Sequence, residues 1–260
     1  RDVLPLLTEC LDLSDDLRAV ETAHQDLAGL DLSRLSARQV VFRDCRFSNC
    51  TLTRCDLVDV VFQDCELSNC DLTDGYLSRV LFQRCKAVGL RLTKAVGKDV
   101  RFQDCALGYA GAAESRLTRV VFERCDLSGC VFREGGLKQV VFRDCRLLGL
   151  VMTDCVLNQV ELTQCGGRYL SLSGCTLKDC RLEGGTFAGG GFTALKCTRT
   201  AVNGCDFTGC DFRGTELRGF DFSGCTIDGC TWSPDKLRGM TVSYDQAAML
   251  AGLLGIIIRN

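Results

Sequence analysis

One triplet recurs along this chain at a spacing of twenty residues. From Val40, Val60, Val80, Val100, Val120, Val140 and Val160 the sequence reads VVF, VVF, VLF, VRF, VVF, VVF and VEL, with a cysteine three residues beyond each triplet, from Cys45 to Cys165. A shorter period sits inside the long one, because Phe42, Phe47, Leu52, Leu57, Phe62 and Leu67 place a large apolar residue at every fifth position. Four fives make twenty, so a backbone that satisfies both periods is a coil with four sides of five residues. Repetition at a fixed period is the sequence signature of a solenoid.

The phase does not slip between Leu27 and Val242. Those limits contain 44 five-residue positions, of which 33 are Leu or Phe. One continuous rod is therefore expected, with units at 1–26 (N-terminal cap), 27–242 (β-helix) and 243–260 (C-terminal helix and tail). At four units per coil this makes about eleven coils, which at the strand spacing of about 4.8 Å gives a rod of roughly 50 Å. Within each five, two inward positions separated by one residue form a short strand, and Gly, Asn and Asp gather at the following corner (Asn49, Asn69, Gly129, Gly174, Gly204, Gly209, Gly214, Gly224). The only prolines, Pro5 and Pro234, lie at the two ends, as a ladder that needs its backbone N–H groups requires. The aromatic positions Phe42, Phe62, Phe82, Phe102, Phe122 and Phe142 should stack. The core should thin at Ala87, Gly97 and Ala112, and should bury little between Gly184 and Gly191, where Gly185 and Gly190 take inward positions.

Twenty cysteines would suggest a disulfide framework if their spacing were irregular. Eighteen instead fall in one phase, two residues before the Leu/Phe position; Cys10 and Cys197 are the exceptions. A single phase means a single structural slot. Val60, Leu90, Ala110 and Gly135 fill the same slot elsewhere, so it selects for small apolar bulk, and buried free cysteine behaves as a small hydrophobe. Metal ligands converge on a point, whereas successive cysteines here lie on successive faces, so neither metal nor cofactor is expected.

The units CRFSN, CTLTR, CDLVD, CELSN, CDLTD, CDLSG, CDFTG and CDFRG resemble those of the pentapeptide-repeat proteins. That resemblance implies an all-β solenoid, a right-handed quadrilateral β-helix, with the Leu/Phe and Cys positions turned inward. The ends depart from the repeat. Ser14 to His24 reads as a short capping helix, with Ser14 as N-cap and Asp15 and Asp16 in the first turn. Ser243 to Gly255 reads as a second helix, with a capping box from Ser243 and Gln246 and a stop at Gly255. This end is similar to the terminal helix that pairs bacterial quinolone-resistance pentapeptide-repeat proteins tail to tail. A homodimer through Met249, Leu250, Leu253, Leu254, Ile256, Ile257 and Ile258 is the corresponding expectation.

Chemistry has few candidates. His24 is the only histidine, and no nucleophile is spaced around it. The net charge of −2 is made of interspersed signs, giving no basic footprint for direct nucleic-acid binding. No apolar run is long enough for a membrane helix, the start lacks the order of a signal peptide, and a soluble cytoplasmic protein is expected. Two outward columns stand out. Val41, Val61, Leu81, Val121 and Val141 form a candidate partner-binding stripe, interrupted by Arg101 and ended by Glu161. Beside it, Asp44, Asp64, Arg84, Asp104, Arg124 and Asp144 suggest a charge ladder that supports register.

These features point to a non-enzymatic scaffold with an unidentified protein partner. The alternative implied by the resemblance is a DNA-mimicking protein directed at DNA gyrase and conferring fluoroquinolone resistance. Mimicry of a polyanion requires a strongly negative surface, and residues 101–200 carry 13 basic against 10 acidic side chains. The uninterrupted repeat also lacks the loops that break the coil in many quinolone-resistance relatives.

Overall fold

In the computed structural model, which describes Leu6–Leu7 and residues 16–257, the chain winds so that each residue pairs with the one twenty further on. Val41, Phe42 and Arg43 lie against Val61, Phe62 and Gln63, and those against Leu81, Phe82 and Gln83, in parallel register throughout. Four faces follow, identified here by their inward residues Phe42, Phe47, Leu52 and Leu57. The Phe42 and Leu57 faces are built from three-residue strands such as Val61–Gln63 and Tyr76–Ser78. The Phe47 and Leu52 faces are mostly isolated bridges closed by tight turns, in which the Cys50 N–H donates to the Phe47 carbonyl at 2.9 Å and the Cys55 N–H to that of Leu52 at 3.3 Å.

Most strands are three residues long for the same reason, although Leu17–Ala23 and Ser36–Arg43 run through a corner. Two residues beyond the inward Leu or Phe the backbone turns into the left-handed region, at φ 61° for Asn49, 50° for Asp44 and 58° for Asp74. Most of the Gly, Asn and Asp corners read from the sequence adopt this conformation, Gly224 being an exception. It is not confined to them: Arg79, Lys94, Gln139 and Tyr169 adopt it too. A left-handed residue costs roughly 1–2 kcal/mol relative to the right-handed one. Stacking of coils above and below must therefore hold these corners.

Ten strands, from Leu17–Ala23 to Ala201–Asn203, stack on the Phe42 face. They make about nine turns rather than the eleven coils expected. The coils beyond Asn203 are joined only by bridges, such as Asp206 to Thr226 and Asp221 to Thr241, and by turns. The capping helix expected over Ser14 to His24 is not formed: Leu17–Ala23 is a strand paired to Ala37–Arg43, with Leu17 and Thr22 buried in inward positions. Helix-capping residues are a weak local preference, and pairing with the next coil overrides it. Ser14 and Asp15 lie outside the described residues. Leu6 and Leu7 pair with Glu21 and Thr22 at a separation of fifteen, so the twenty-residue coil begins after them.

The core is a closed column of Leu, Phe, Val and Cys. Phe42, Phe62, Phe82, Phe102, Phe122 and Phe142 stack with centroids 5.2, 5.0, 4.6, 4.9 and 4.9 Å apart, as expected. The stretch from Gly184 to Gly191 differs from expectation, because Phe187 and Phe192 fill the room its glycines leave. A Cβ added at Gly185 would lie 2.6 Å from the Phe187 ring, and one at Gly190 would lie 2.9 Å from that of Phe192. Both rings are buried. Around Gly97 the core does thin, leaving a cavity of about 10 Å³ bordered by Leu77, Ala95 and Leu117. Among the described residues no helix is long and apolar enough to cross a membrane.

Phe82→Ala, in the middle of the ring stack, should lower unfolding free energy by about 3–5 kcal/mol, the range for truncating a core aromatic, measured by guanidinium titration. Gly185→Ala should also destabilise, by about 1–3 kcal/mol, because the site is full. A stabilised Gly185→Ala protein would mean that Phe187 does not occupy that space.

Candidate interaction surface

Register turns the valine positions into a physical stripe. Val41, Val61 and Leu81 are successive partners on the Phe42 face, then Arg101, Val121, Val141 and Glu161. The five apolar side chains are partly buried against one another, while Arg101 and Glu161 are exposed. Arg101 divides the stripe into an upper group of three and a lower group of two. Next to it runs a polar column, Arg43, Gln63, Gln83, Gln103, Glu123 and Arg143. At its head the Arg43 guanidinium donates to Glu21 and to Gln63. Isolated apolar side chains on a surface are ordinary; here five of them share one column, interrupted at Arg101 and rimmed by polar groups.

Corner side chains lean onto the corner of a neighbouring coil. Arg84 grips Asp64 with two bonds of 2.6 and 2.7 Å, and Arg124 grips Asp104 with 2.7 and 3.1 Å. Asp44 and Asp144, the outer members of the ladder read from the sequence, form no ion pair among the described residues. A second ladder occupies the corner of the Leu57 face, where Arg79 holds Asp59, Arg119 holds Asp99 and Arg199 holds Asp179 through paired bonds of 2.5 to 2.9 Å. Sequence reading missed it, although the signal was present as Asp and Arg twenty residues apart. In each pair the arginine holds the aspartate below the usual carboxylate range. Exposed pairs contribute little to stability because solvent screens them, so their main effect is to fix stacking register. The same lean explains Gly129 and Gly189. The Tyr109 and Tyr169 rings lie where a Cβ on those glycines would be, at 2.7 and 2.8 Å.

The thiols face the core. Cys65 donates to the Phe42 carbonyl at 3.4 Å, Cys85 to Phe62 at 3.3 Å and Cys70 to Phe47 at 2.8 Å, each reaching one coil back. Burial pushes Cys55, Cys130 and Cys210 up to about 12, so these thiols stay protonated at neutral pH. All nineteen cysteines among the described residues are free, and no three His, Cys, Asp or Glu side chains there converge as metal ligands. His24 is a corner residue whose backbone N–H donates to the Arg43 carbonyl at 3.0 Å.

The last coil is closed by helix α1, Tyr244–Ala251. Its capping box forms as expected, with the Gln246 N–H donating to Ser243 Oγ and the Ser243 N–H to Gln246 Oε1. Gln246 also donates from Nε2 to the Cys225 carbonyl at 2.7 Å and to the Phe222 carbonyl at 3.0 Å, the latter shared with the Cys225 N–H at 2.8 Å. A left-handed Gly255 ends the segment after a short 3₁₀ turn. Leu250 packs on the core, whereas Met249, Leu253, Ile256 and Ile257 are exposed. A groove of about 200 Å³ runs between the helix and Ile227, Cys230 and Trp232. The Leu254 side chain and Ile258 lie outside the described residues.

Comparisons with known proteins agree with this geometry. Residues 16–92 and 115–192 match a pentapeptide repeat region, and residues 192–231 match eight copies of the pentapeptide repeat. No curated protein matches the chain. Among solved structures, HetL, a pentapeptide-repeat protein involved in heterocyst differentiation regulation from the cyanobacterium Nostoc sp. strain PCC 7120, is 14% identical. The match covers 87% of this chain and 91% of HetL, with a TM-score of 0.61. A trypsin-treated form of QnrB1, a plasmid-mediated fluoroquinolone resistance protein, is 18% identical over 92% of this chain and 100% of its own, with a TM-score of 0.41. With family matches over most of its length and a coil whose inward thiols and Leu/Phe residues recur every five positions, this chain belongs to the pentapeptide-repeat family.

Proposed function

We propose that this protein is a non-enzymatic interaction scaffold whose Phe42 face binds a protein partner through Val41, Val61, Leu81, Val121 and Val141. The observation that carries this reading is the strand register, which stacks Val41, Val61 and Leu81 on one side of Arg101 and Val121 and Val141 on the other, a row about 24 Å long at 4.8 Å per coil. Solenoids of this family are typically non-catalytic, and the core thiols are occupied as backbone donors and space fillers. Free buried cysteines in this number suit a reducing compartment, which supports the cytoplasm as the site of action.

A second reading concerns the C-terminal end. Exposed Met249, Leu253, Ile256 and Ile257 beside an apolar groove support a two-fold contact between copies of this chain. The gyrase-directed alternative draws on the same end but requires a polyanionic rod. The paired Asp–Arg corners give both signs to two edges, which weighs against that alternative.

Val61→Glu and Val121→Glu should each abolish recovery of the partner set captured by the native protein from its source cells. Thermal stability should change by no more than a few degrees, since these side chains point outward. An unchanged partner set would overturn the stripe. Leu253→Glu combined with Ile256→Glu should convert a dimer to a monomer in sedimentation equilibrium. A monomeric native protein at about 100 μM would remove the tail-to-tail contact.

A further inference from the structure

The Leu57 face carries cations that neither the valine stripe nor the C-terminal groove uses. After its inward residues the successive partners are Lys98, Thr118, Lys138, Asn158, Lys178 and Thr198, so a lysine returns on every second coil. Before the inward residues the column reads Val96, Arg116, Gly136, Val156, Thr176 and Lys196. The corner before the inward residues adds Lys94 against Glu114, Glu134 and Asp154, while on the strands and the corner after them Lys98, Arg116, Arg119, Lys138, Lys178, Lys196 and Arg199 face Asp99 and Asp179, an excess of three positive charges over the whole face from eight less five. Asp99 and Asp179 are already held by arginines. Lys98, Arg116, Lys138, Lys178 and Lys196 are exposed and form no ion pair among the described residues. The whole chain is slightly acidic at −2, so this strip is a local concentration that total composition conceals.

Spacing and neighbours narrow the kind of anion. Two coils separate the lysines by about 9.6 Å, while an α-helix advances about 10.5 Å in seven residues. A helix laid along the rod with one carboxylate per heptad would meet Lys98, Lys138 and Lys178 in turn, a mismatch within the reach of a lysine side chain. Val96 and Val156, 37% and 57% exposed, give such a helix apolar contacts between the charges. A nucleic acid fits less well. No aromatic side chain stands on this face between Val96 and Arg199 for bases to stack on. The other corner of this face, Glu114, Glu134 and Asp154, would repel a phosphate backbone that is charged at every residue, whereas a helix with one carboxylate per heptad can keep its uncharged side toward that corner. Glu114 alone of these is paired, to Lys94 at 3.8 Å.

We propose that the Leu57 face from Val96 to Arg199 docks an acidic amphipathic helix of a partner protein, with carboxylates on Lys98, Lys138 and Lys178. The proposal uses a different face from the valine stripe, so either can fail without the other. The test is fluorescence anisotropy of a labelled helical peptide of about three heptads carrying one glutamate per heptad and leucines on the same side. Binding should be seen at low salt, and Lys98→Glu/Lys138→Glu/Lys178→Glu should weaken it by about tenfold or more. Arg101→Glu/Arg133→Glu/Arg168→Glu changes net charge equally on the other three faces and should weaken it by less than about threefold. The neutral Lys98→Gln/Lys138→Gln/Lys178→Gln protein should also bind several-fold more weakly, which keeps the test valid if charge reversal disturbs folding. Equal losses in the two reversed proteins, no binding at about 100 μM peptide, or tighter binding of a DNA duplex of the same length would each overturn the proposal.

Discussion

Backbone hydrogen bonding between coils, repeated every twenty residues, is the constraint on which the rest of this molecule depends. It brings the same position of successive coils to about 4.8 Å, so each side chain has a near copy of itself above and below. Phenylalanine answers that constraint by stacking its rings, as Phe62, Phe82 and Phe102 do. Cysteine answers it by being small and by donating to a carbonyl one coil back, as Cys85 does to Phe62. The corners answer it by pairing a carboxylate with a guanidinium, or by placing an aromatic ring over a glycine. None of these contacts is strong alone, but they repeat along the rod and hold corner residues in a backbone conformation that most side chains disfavour.

The same constraint shapes the surface. Stacking converts a position in the repeat into a column, and the character of a column follows from which residues recur at that position. On the Phe42 face the column before the inward residue is apolar, and on the Leu57 face the column after it is rich in lysine. Two faces of the rod thereby acquire columns of distinct character. The apolar C-terminal end adds a third surface, where helix α1 closes the last coil and Gln246 donates to two of its carbonyls.

Legibility in the sequence followed the repeat. The inward positions, the ring stack, the thiol slot, the corners and the C-terminal capping box could all be read, because each depends on local spacing alone. The valine stripe was legible for the same reason. Reading failed where a contact crossed the repeat. Leu17–Ala23 looks like a helix start when taken locally and becomes a strand because Ala37–Arg43 is available to pair with it. Gly185 and Gly190 look like gaps in a list of inward residues, yet Phe187 and Phe192 turn into them.

The sequence by itself determined the period, the four-sided coil and the inward positions from Leu27 onward, because a five-residue beat leaves the backbone few other ways to bury its Leu and Phe. Only the tertiary structure decided which of the four faces would be strands and which turns, where the first coil starts, and that Asp59 pairs with Arg79 while Asp44 forms no ion pair among the described residues. Those outcomes depend on distances between side chains twenty residues apart and on the backbone angles at the corners, quantities that a one-dimensional pattern does not contain.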